Sequence, residues 1–288
     1  MNASLRRARF RALLSGDRCL HPASVFDPLS MRAAEALGFE AAMFAGSIAS
    51  LTVLGAPDLV LLTLSEFADQ VRRICRAGGP PLMVDADHGY GNALNARRTV
   101  EELEAAGVSA LTIEDTVLPR PYGAAAKPQL TSIEEGRGKL RAALAGRQDP
   151  TLVVVGRTSA IAITGVEDTI ARLKAYEAVG VDALFLAGVK TRPQLDAIAA
   201  AVNLPLILGS ASEEVTDLDY LGARGVRICL QGHLPFMAAV RAFYDTLAAQ
   251  KRGVPAKDIA GVAPDALIKR LTHHDDYEAW TRDCLGAW

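Results

Sequence analysis

Short, almost uninterrupted apolar runs alternate along the chain with segments whose apolar positions recur every three to four residues. The runs lie near Cys19–Phe26, Glu40–Ala45, Pro81–Asp85, Ala110–Glu114, Leu152–Arg157, Ala183–Ala187, Leu204–Leu208 and Val226–Leu230. A run this short with little polar alternation suits a parallel strand buried on both faces, because crossover helices cover both sides of its sheet. The segments between the runs predict helices. Within Thr99–Gly107, Val100, Leu103 and Ala106 share one face, glutamates fill the other, and Gly107 stands where a C-terminal cap belongs. Gly38, Gly180 and Gly225 each close a helix or open the next strand in the same way.

Eight strand-helix units in 288 residues match an α/β protein built as one (β/α)8 barrel of the TIM type, which takes about 250 residues. A doubly wound open sheet would place GxGxxG after its first strand, whereas the chain there reads Phe26-Asp27-Pro28-Leu29. The barrel is therefore expected to span residues 1–288 as a single domain. Two connections are long, Gly46–Leu62 after the second strand and Asp115–Leu130 after the fourth. Both fall on the face where barrels carry their chemistry, so they predict a substrate lid or a metal site. Residues 251–288 form a C-terminal helical extension beyond the eighth helix. With the outer ring complete, that tail is expected to pack on a neighbouring subunit.

Composition narrows the function class. A chain that is 50% hydrophobic and 22% charged is globular, and 24 Gly with 14 Pro excludes a collagen-like or low-complexity chain. Apolar runs stop well short of the roughly 18 to 20 residues that span a bilayer, so no membrane association is expected. A net charge of -2, with no basic block interleaved with aromatics, gives no field for nucleic acid. Cys19, Cys75, Cys229 and Cys284 are far apart and form no CxxC, which predicts free thiols and a cytoplasmic protein. Arg6, Arg7, Arg9, Arg11 and Arg18 superficially suggest a transit peptide. The apolar stretch from Cys19 follows them at once, and Leu5, Phe10, Leu13 and Leu14 predict an amphipathic lead-in helix instead.

On the barrel frame the polar residues gather at one end. Asp85 and Asp87, two apart at the end of the third strand, leave on the same side. Glu114 ends the neighbouring fourth strand, and Asp58 lies in a connection long enough to fold across the same mouth. Four converging carboxylates need protons or a divalent cation. An all-oxygen donor set with no paired Cys or His-x-x-His favours Mg2+, or Mn2+, over Zn2+. Asp85-Ala86-Asp87-His88-Gly89 also reads as a plain turn in which Asp87 caps the next helix. Arg157, ending the fifth strand, is placed to grip a substrate carboxylate or to neutralise Glu114. His233, after Gly232 beyond the eighth strand, is placed to donate a hydrogen bond to substrate or carry a proton. Ser47 follows the second strand in a turn suited to an anionic group. Asp115 is expected to be structural, and His88 to face the site or fill its turn. His21, His273 and His274 have no comparable setting.

With those residues in place the chain resembles the isocitrate lyase/phosphoenolpyruvate mutase superfamily from about Arg18 to the tail. The resemblance rests on Asp85-Ala86-Asp87-His88-Gly89-Tyr90-Gly91-Asn92, Ala106-Gly107, Ile113-Glu114-Asp115 and Gly156-Arg157-Thr158. It implies a barrel that exchanges its eighth helix between subunits, commonly as a homotetramer assembled as a dimer of dimers. It also implies a Mg2+ ion among Asp58, Asp85, Asp87 and Glu114, with Ser47 and Arg157 holding a 2-oxo dicarboxylate or related acid. Lyases of the superfamily carry a Lys-Lys-Cys-Gly-His type segment after the fourth strand. This chain reads Thr116-Val117-Leu118-Pro119-Arg120-Pro121-Tyr122-Gly123-Ala124-Ala125-Ala126 there, without Cys, His or acid. The mutases' Lys and Asn are missing too, with Lys127 out of register. The reaction that needs least else is decarboxylation of oxaloacetate, or a close 3-carboxy-2-oxo acid, to pyruvate and CO2. The position of His233 is similar to the oxaloacetate decarboxylase branch. Two other readings stand beside it: a carbon-carbon lyase for a substituted malate or methylisocitrate-like acid, with Tyr122 or His233 replacing the thiol, and a non-catalytic oxo-acid or metal-binding barrel.

Overall fold

The structure is a computed structural model that describes residues 2–123, 127–210 and 212–286. Eight parallel strands pair in chain order: β1 (Ala23–Ser24), β2 (Ala42–Phe44), β3 (Leu82–Asp85), β4 (Ala110–Glu114), β5 (Val153–Thr158), β6 (Ala183–Leu186), β7 (Leu206–Leu208) and β8 (Val226–Cys229). The ring closes just ahead of β1. There Leu20 bridges Ile228, its N–H donating to Arg227 O at 3.0 Å and its carbonyl accepting from Cys229 N–H at 2.9 Å. The apolar run Cys19–Phe26 thus serves two neighbours in turn, β8 at Leu20 and β2 at Ala23–Ser24. The fold is the (β/α)8 barrel that the strand-helix alternation predicts.

The helices between strands start and stop on local signals. The helix Leu64–Arg76 opens on a reciprocal Thr63/Glu66 capping box and buries Phe67, Val71, Ile74 and Cys75 against the sheet. The helix Ala93–Ala106 opens on an Asn92/Asn95 box and ends at Gly107, whose φ of +100° a side chain would resist. All five residues of β4 are buried, as are Val153–Gly156 of β5, which explains their unbroken apolar runs.

Ala3–Ser15 forms the expected lead-in helix, but its packing differs from the expectation. Phe10 and Leu14 are buried, whereas Leu5 is exposed and Arg6 and Arg7 are buried. Arg7 donates to Val108 O, Glu104 O and Asp149, and Arg11 reaches Thr151 O and Asp182. These acceptors stand ahead of β4, β5 and β6, where the approaches to the strands offer carbonyls and carboxylates that a guanidinium satisfies and a leucine cannot. The arginine-rich start closes the end of the barrel opposite the site.

The helix Leu234–Lys251 leaves the barrel instead of completing its outer ring. None of its residues is buried, and Leu234, Met237, Phe243, Tyr244 and Leu247 are exposed. Within the tail, the helix Asp265–Leu271 docks on this chain's own helix Pro28–Ala36. Leu271 is buried there and Arg270 donates to Ala36 O at 2.8 Å. No helix of the described residues is long and apolar enough to cross a membrane.

Candidate active site

A cavity of about 550 Å³ opens at the C-terminal ends of the strands, and Ser47, Asp58, Asp85, Asp87, Glu114, Arg157 and His233 all line it. The structure therefore brings together these seven residues expected as ligands, anchors or catalytic groups, but not Tyr122.

Asp85, the last residue of β3, is fixed on both oxygens. Its Oδ1 accepts from Thr112 Oγ1 and from Asp87 N–H, each at 3.1 Å, and its Oδ2 meets Arg157 Nη1. Parallel register sets Glu114 beside Arg157. Arg157 Nε lies 3.0 Å from Glu114 Oε2 without hydrogen-bond alignment, and the guanidinium stands over the Phe185 ring at 5.1 Å. Arg157 thus neutralises Asp85 as well as Glu114. A guanidinium has five N–H bonds, so donors beyond these contacts remain for a substrate carboxylate.

Asp87 adopts φ +48°, a left-handed conformation that is uncommon outside glycine. Its backbone is held from two sides, the N–H by Asp85 and the carbonyl by Glu114 N–H at 2.8 Å. It does not cap the next helix, because Asn92 does. Its carboxylate packs against Gly46, where a Cβ would fall 2.8 Å from Oδ2 and 2.9 Å from Oδ1. That glycine, at the start of the turn carrying Ser47, is what allows the second and third strand ends to approach so closely.

The electrostatics are those of an acidic site with Arg157 set among its carboxylates. Burial, with the Asp85, Glu114 and Asp58 charges added, pushes Asp87 well above the usual carboxylate range, against Arg157. Burial followed by Asp85 raises Asp58. Burial raises Glu114 although Arg157 opposes it. His233 is pushed down by burial, with Asp85 acting the other way. Tyr90, whose buried hydroxyl has no hydrogen-bond partner among the described residues, is pushed well up by burial and by Asp87, Asp85 and Asp58. Four carboxylates make a hard oxygen donor set, and one guanidinium among them leaves excess negative charge, which suits Mg2+ or Mn2+. Among the described residues, no three such side chains stand close enough to enclose an ion by themselves. Mg2+ commonly retains several waters, so direct contact with every carboxylate is not required.

Other expected residues separate clearly. Asp115 points away from the cavity, accepting from Arg172 Nη1 at 3.0 Å and the Tyr176 hydroxyl at 2.6 Å. His88 is buried off the cavity, pushed down to about 4 by burial and Lys139, with its ring 6.4 Å from Tyr90. Its turn-filling alternative therefore applies. His21 contacts Cys229 O through Nδ1, and His273 and His274 lie on tail contacts with Asp276 and Glu278. Tyr122 is fully exposed and does not line the cavity, so it is not placed to replace a thiol.

The connection after β4 is pinned as a hairpin stem by the Thr116–Leu130 bridge and by Val117 N–H donating to Gln129 O. Thr116, Val117, Leu118, Arg120, Pro121 and Lys127 face the cavity from it. Ala124–Ala126 lie outside the described residues. Lys127, out of register with the mutases' lysine by sequence, nonetheless lines the cavity.

Four contributors escaped the sequence reading: Gly46, Thr112, Phe185 and Ser24, the last touching His233 Nδ1 at 2.9 Å. Thr112 had a usable signal, because it lies two before Glu114 on β4 and opposite Asp85. The others are ordinary residues until the barrel closes.

A phosphoenolpyruvate phosphomutase family model matches residues 10–251. A protein of Rhodopseudomonas palustris (strain BisB18) named oxaloacetate decarboxylase is 61% identical over 267 residues, covering 93% of this chain and 92% of its own. Among solved structures, a phosphonopyruvate hydrolase complex with oxalate and Mg2+ superimposes with a TM-score of 0.84 at 29% identity, covering 99% of this chain and 100% of that one. An oxaloacetate acetylhydrolase bound to the inhibitor 3,3-difluorooxalacetate gives a TM-score of 0.83 at 28% identity, with 96% of each chain covered.

Proposed function

The chain belongs to the phosphoenolpyruvate phosphomutase family, and from that premise and the site we propose that it is a divalent-metal-dependent carboxy-lyase converting oxaloacetate to pyruvate and CO2. One observation carries the choice of reaction: the described part of the connection after β4 brings no Cys, His or acid to the cavity. A reaction whose bond-breaking step needs no protein base fits that wall, whereas cleavage of a 2-hydroxy acid does not. The name of the Rhodopseudomonas palustris relative supports the same substrate.

Mg2+ or Mn2+, held among Asp85, Asp87, Glu114 and Asp58 partly through water, would supply positive charge where the 2-oxo oxygen becomes negative. Arg157, braced by Asp85, Glu114 and Phe185, orients the carboxylate that is retained. Ser47 adds a donor from the turn after β2. The bond between C3 and C4 breaks, CO2 departs, and the electron pair moves toward C2 and its oxygen. His233 hydrogen-bonds that oxygen, and C3 takes its proton from water to give pyruvate. The apolar side chains of Val117 and Leu118 on the cavity wall limit water around the departing group.

The exposed apolar face of Leu234–Lys251 supports a homo-oligomer in which this helix packs on a neighbouring barrel, as in a dimer of dimers. Four free cysteines suit a cytoplasmic setting. The test is pyruvate formation from oxaloacetate with Mg2+ or Mn2+, against a chelator control and corrected for the spontaneous metal-catalysed reaction. An enzyme-dependent rate inhibited by oxalate is expected. Absence of such a rate, or turnover of a substituted malate with inertness toward oxaloacetate, refutes the proposal.

A further inference from the structure

Barrel closure has a chemical by-product. By pairing Leu20 with Ile228 it lays the segment leading into β1 along the segment leaving β8. Ser24, the last residue of β1, consequently meets His233, 209 positions later in the chain, with Oγ 2.9 Å from Nδ1. Gly232, at φ +77°, supplies the turn that sets His233 at the cavity rim. His233 occupies the N-cap position of Leu234–Lys251, yet its side chain makes no capping hydrogen bond. The ring is free of helix duty and committed to Ser24.

We propose that Ser24 is a positioning residue that holds His233 in the tautomer protonated at Nε2, so that the imidazole presents an N–H to the cavity. A serine hydroxyl carries one proton that it donates where an acceptor stands opposite. Among the described residues Ser24 Oγ has no hydrogen-bond partner other than His233 Nδ1. With that nitrogen accepting, the proton of the neutral ring resides on Nε2, the nitrogen on the far side of the ring from Ser24. The reverse arrangement would leave the Ser24 proton without a protein acceptor. His21 is the internal contrast, because its Nδ1 lies 2.7 Å from Cys229 O, and a carbonyl only accepts. His21 therefore carries its proton on Nδ1, and the two histidines that flank the β1–β8 seam hold opposite tautomers.

The consequence for chemistry rests on the oxo-acid reading above; the tautomer itself does not. An Nε2–H aimed at the 2-oxo oxygen is a neutral donor that strengthens as that oxygen gains charge. It need not give up its proton, which fits protonation of carbon by water. The opposite tautomer would turn a lone pair on the same oxygen and repel it.

The experiment is 15N NMR of the imidazoles in the metal-free, substrate-free protein, with His233 assigned among the five histidines by its loss in His233→Gln. The wild type is expected to give a protonated Nε2 and an unprotonated Nδ1 at His233, with His21 showing the reverse. Ser24→Ala should shift His233 to a mixture of tautomers, and Ser24→Thr should restore the wild-type pattern. In oxaloacetate turnover Ser24→Ala should lower kcat about tenfold with little change in KM, the size of one lost orienting hydrogen bond, and Thr should restore it. A wild-type spectrum with the proton on Nδ1 overturns the proposal before any variant is made. So does an unaltered His233 pattern in a folded Ser24→Ala. If the protein fails to decarboxylate oxaloacetate, the spectra still decide the tautomer, so the two readings fail separately.

Discussion

Replacing Arg157 by Met keeps much of the side chain's bulk but withdraws the cation from between Asp85 and Glu114. Those carboxylates are 14% and 7% exposed, so hydration returns little of what the guanidinium supplied. Breaking a buried ion pair by removing one partner costs about 3–5 kcal/mol. Protonation sets a ceiling of similar size. Carrying a glutamate from its usual pKa near 4.3 to neutrality at pH 7 costs about 3.7 kcal/mol, at about 1.4 kcal/mol per pH unit. A loss of about 3–4 kcal/mol corresponds to an apparent Tm lower by about 6–16 °C for a chain of this size. The sign with pH follows from Glu114, which burial already raises and Arg157 lowers. Without Arg157 its folded-state pKa rises further. The folded variant then binds more protons than the unfolded chain between the two pKa values, so its stability falls as pH rises through that window and recovers as pH falls. The deficit relative to wild type should therefore shrink from pH 7 toward pH 5, by up to about 1.4 kcal/mol per unit. The assay is thermal unfolding followed by circular dichroism in EDTA at both pH values. A Tm within about 2 °C of wild type at pH 7, or a deficit that widens on acidification, would refute the reasoning.

Asp85→Ala should abolish metal-stimulated decarboxylation, by about a hundredfold or more, and weaken Mn2+ binding read by electron paramagnetic resonance; an unchanged Mn2+ titration would remove Asp85 from the ligand set. Gly46→Ala should lower kcat at least tenfold through the 2.8 Å encounter with Asp87, with Mn2+ affinity reduced in parallel. Normal kinetics in that variant would mean the two strand ends tolerate separation. If Leu234–Lys251 packs on a neighbouring copy as proposed, Phe243→Glu combined with Leu247→Glu should lower the mass read by light scattering behind size exclusion, and retention of the wild-type mass would refute that interface.

The barrel was legible because burial on both faces leaves parallel strands almost no polar residues, and all eight runs became strands. What blurred was extent. Cys19–Phe26 reads as one strand, but its pairing passes from β8 to β2 partway along, a switch that hydropathy does not encode. In the site, Asp85, Asp87 and Glu114 were legible from their places at strand ends, and Arg157 likewise. The partnership between Arg157 and Asp85 was less so, because it crosses an intervening strand. Gly46, Phe185 and Ser24 bear no chemical mark of their own, and each matters only through a neighbour remote in sequence. The opposite error occurred at the first helix, where Leu5 fitted the apolar stripe but Arg6 and Arg7 took the buried face. Apolar periodicity does not count the carbonyls left at strand beginnings.

The same long-range closure sets a timetable for biosynthesis. Arg11 meets Asp182, Leu20 meets Ile228 and Ser24 meets His233, so the earliest residues to leave the ribosome wait for some of the latest. Loops of this length slow folding and leave the opening segment unsatisfied while translation proceeds. A nascent chain halted before β8 would hold all four acidic residues yet lack both its seam and its histidine. The cavity is thus assembled only after β8 and His233 have been made.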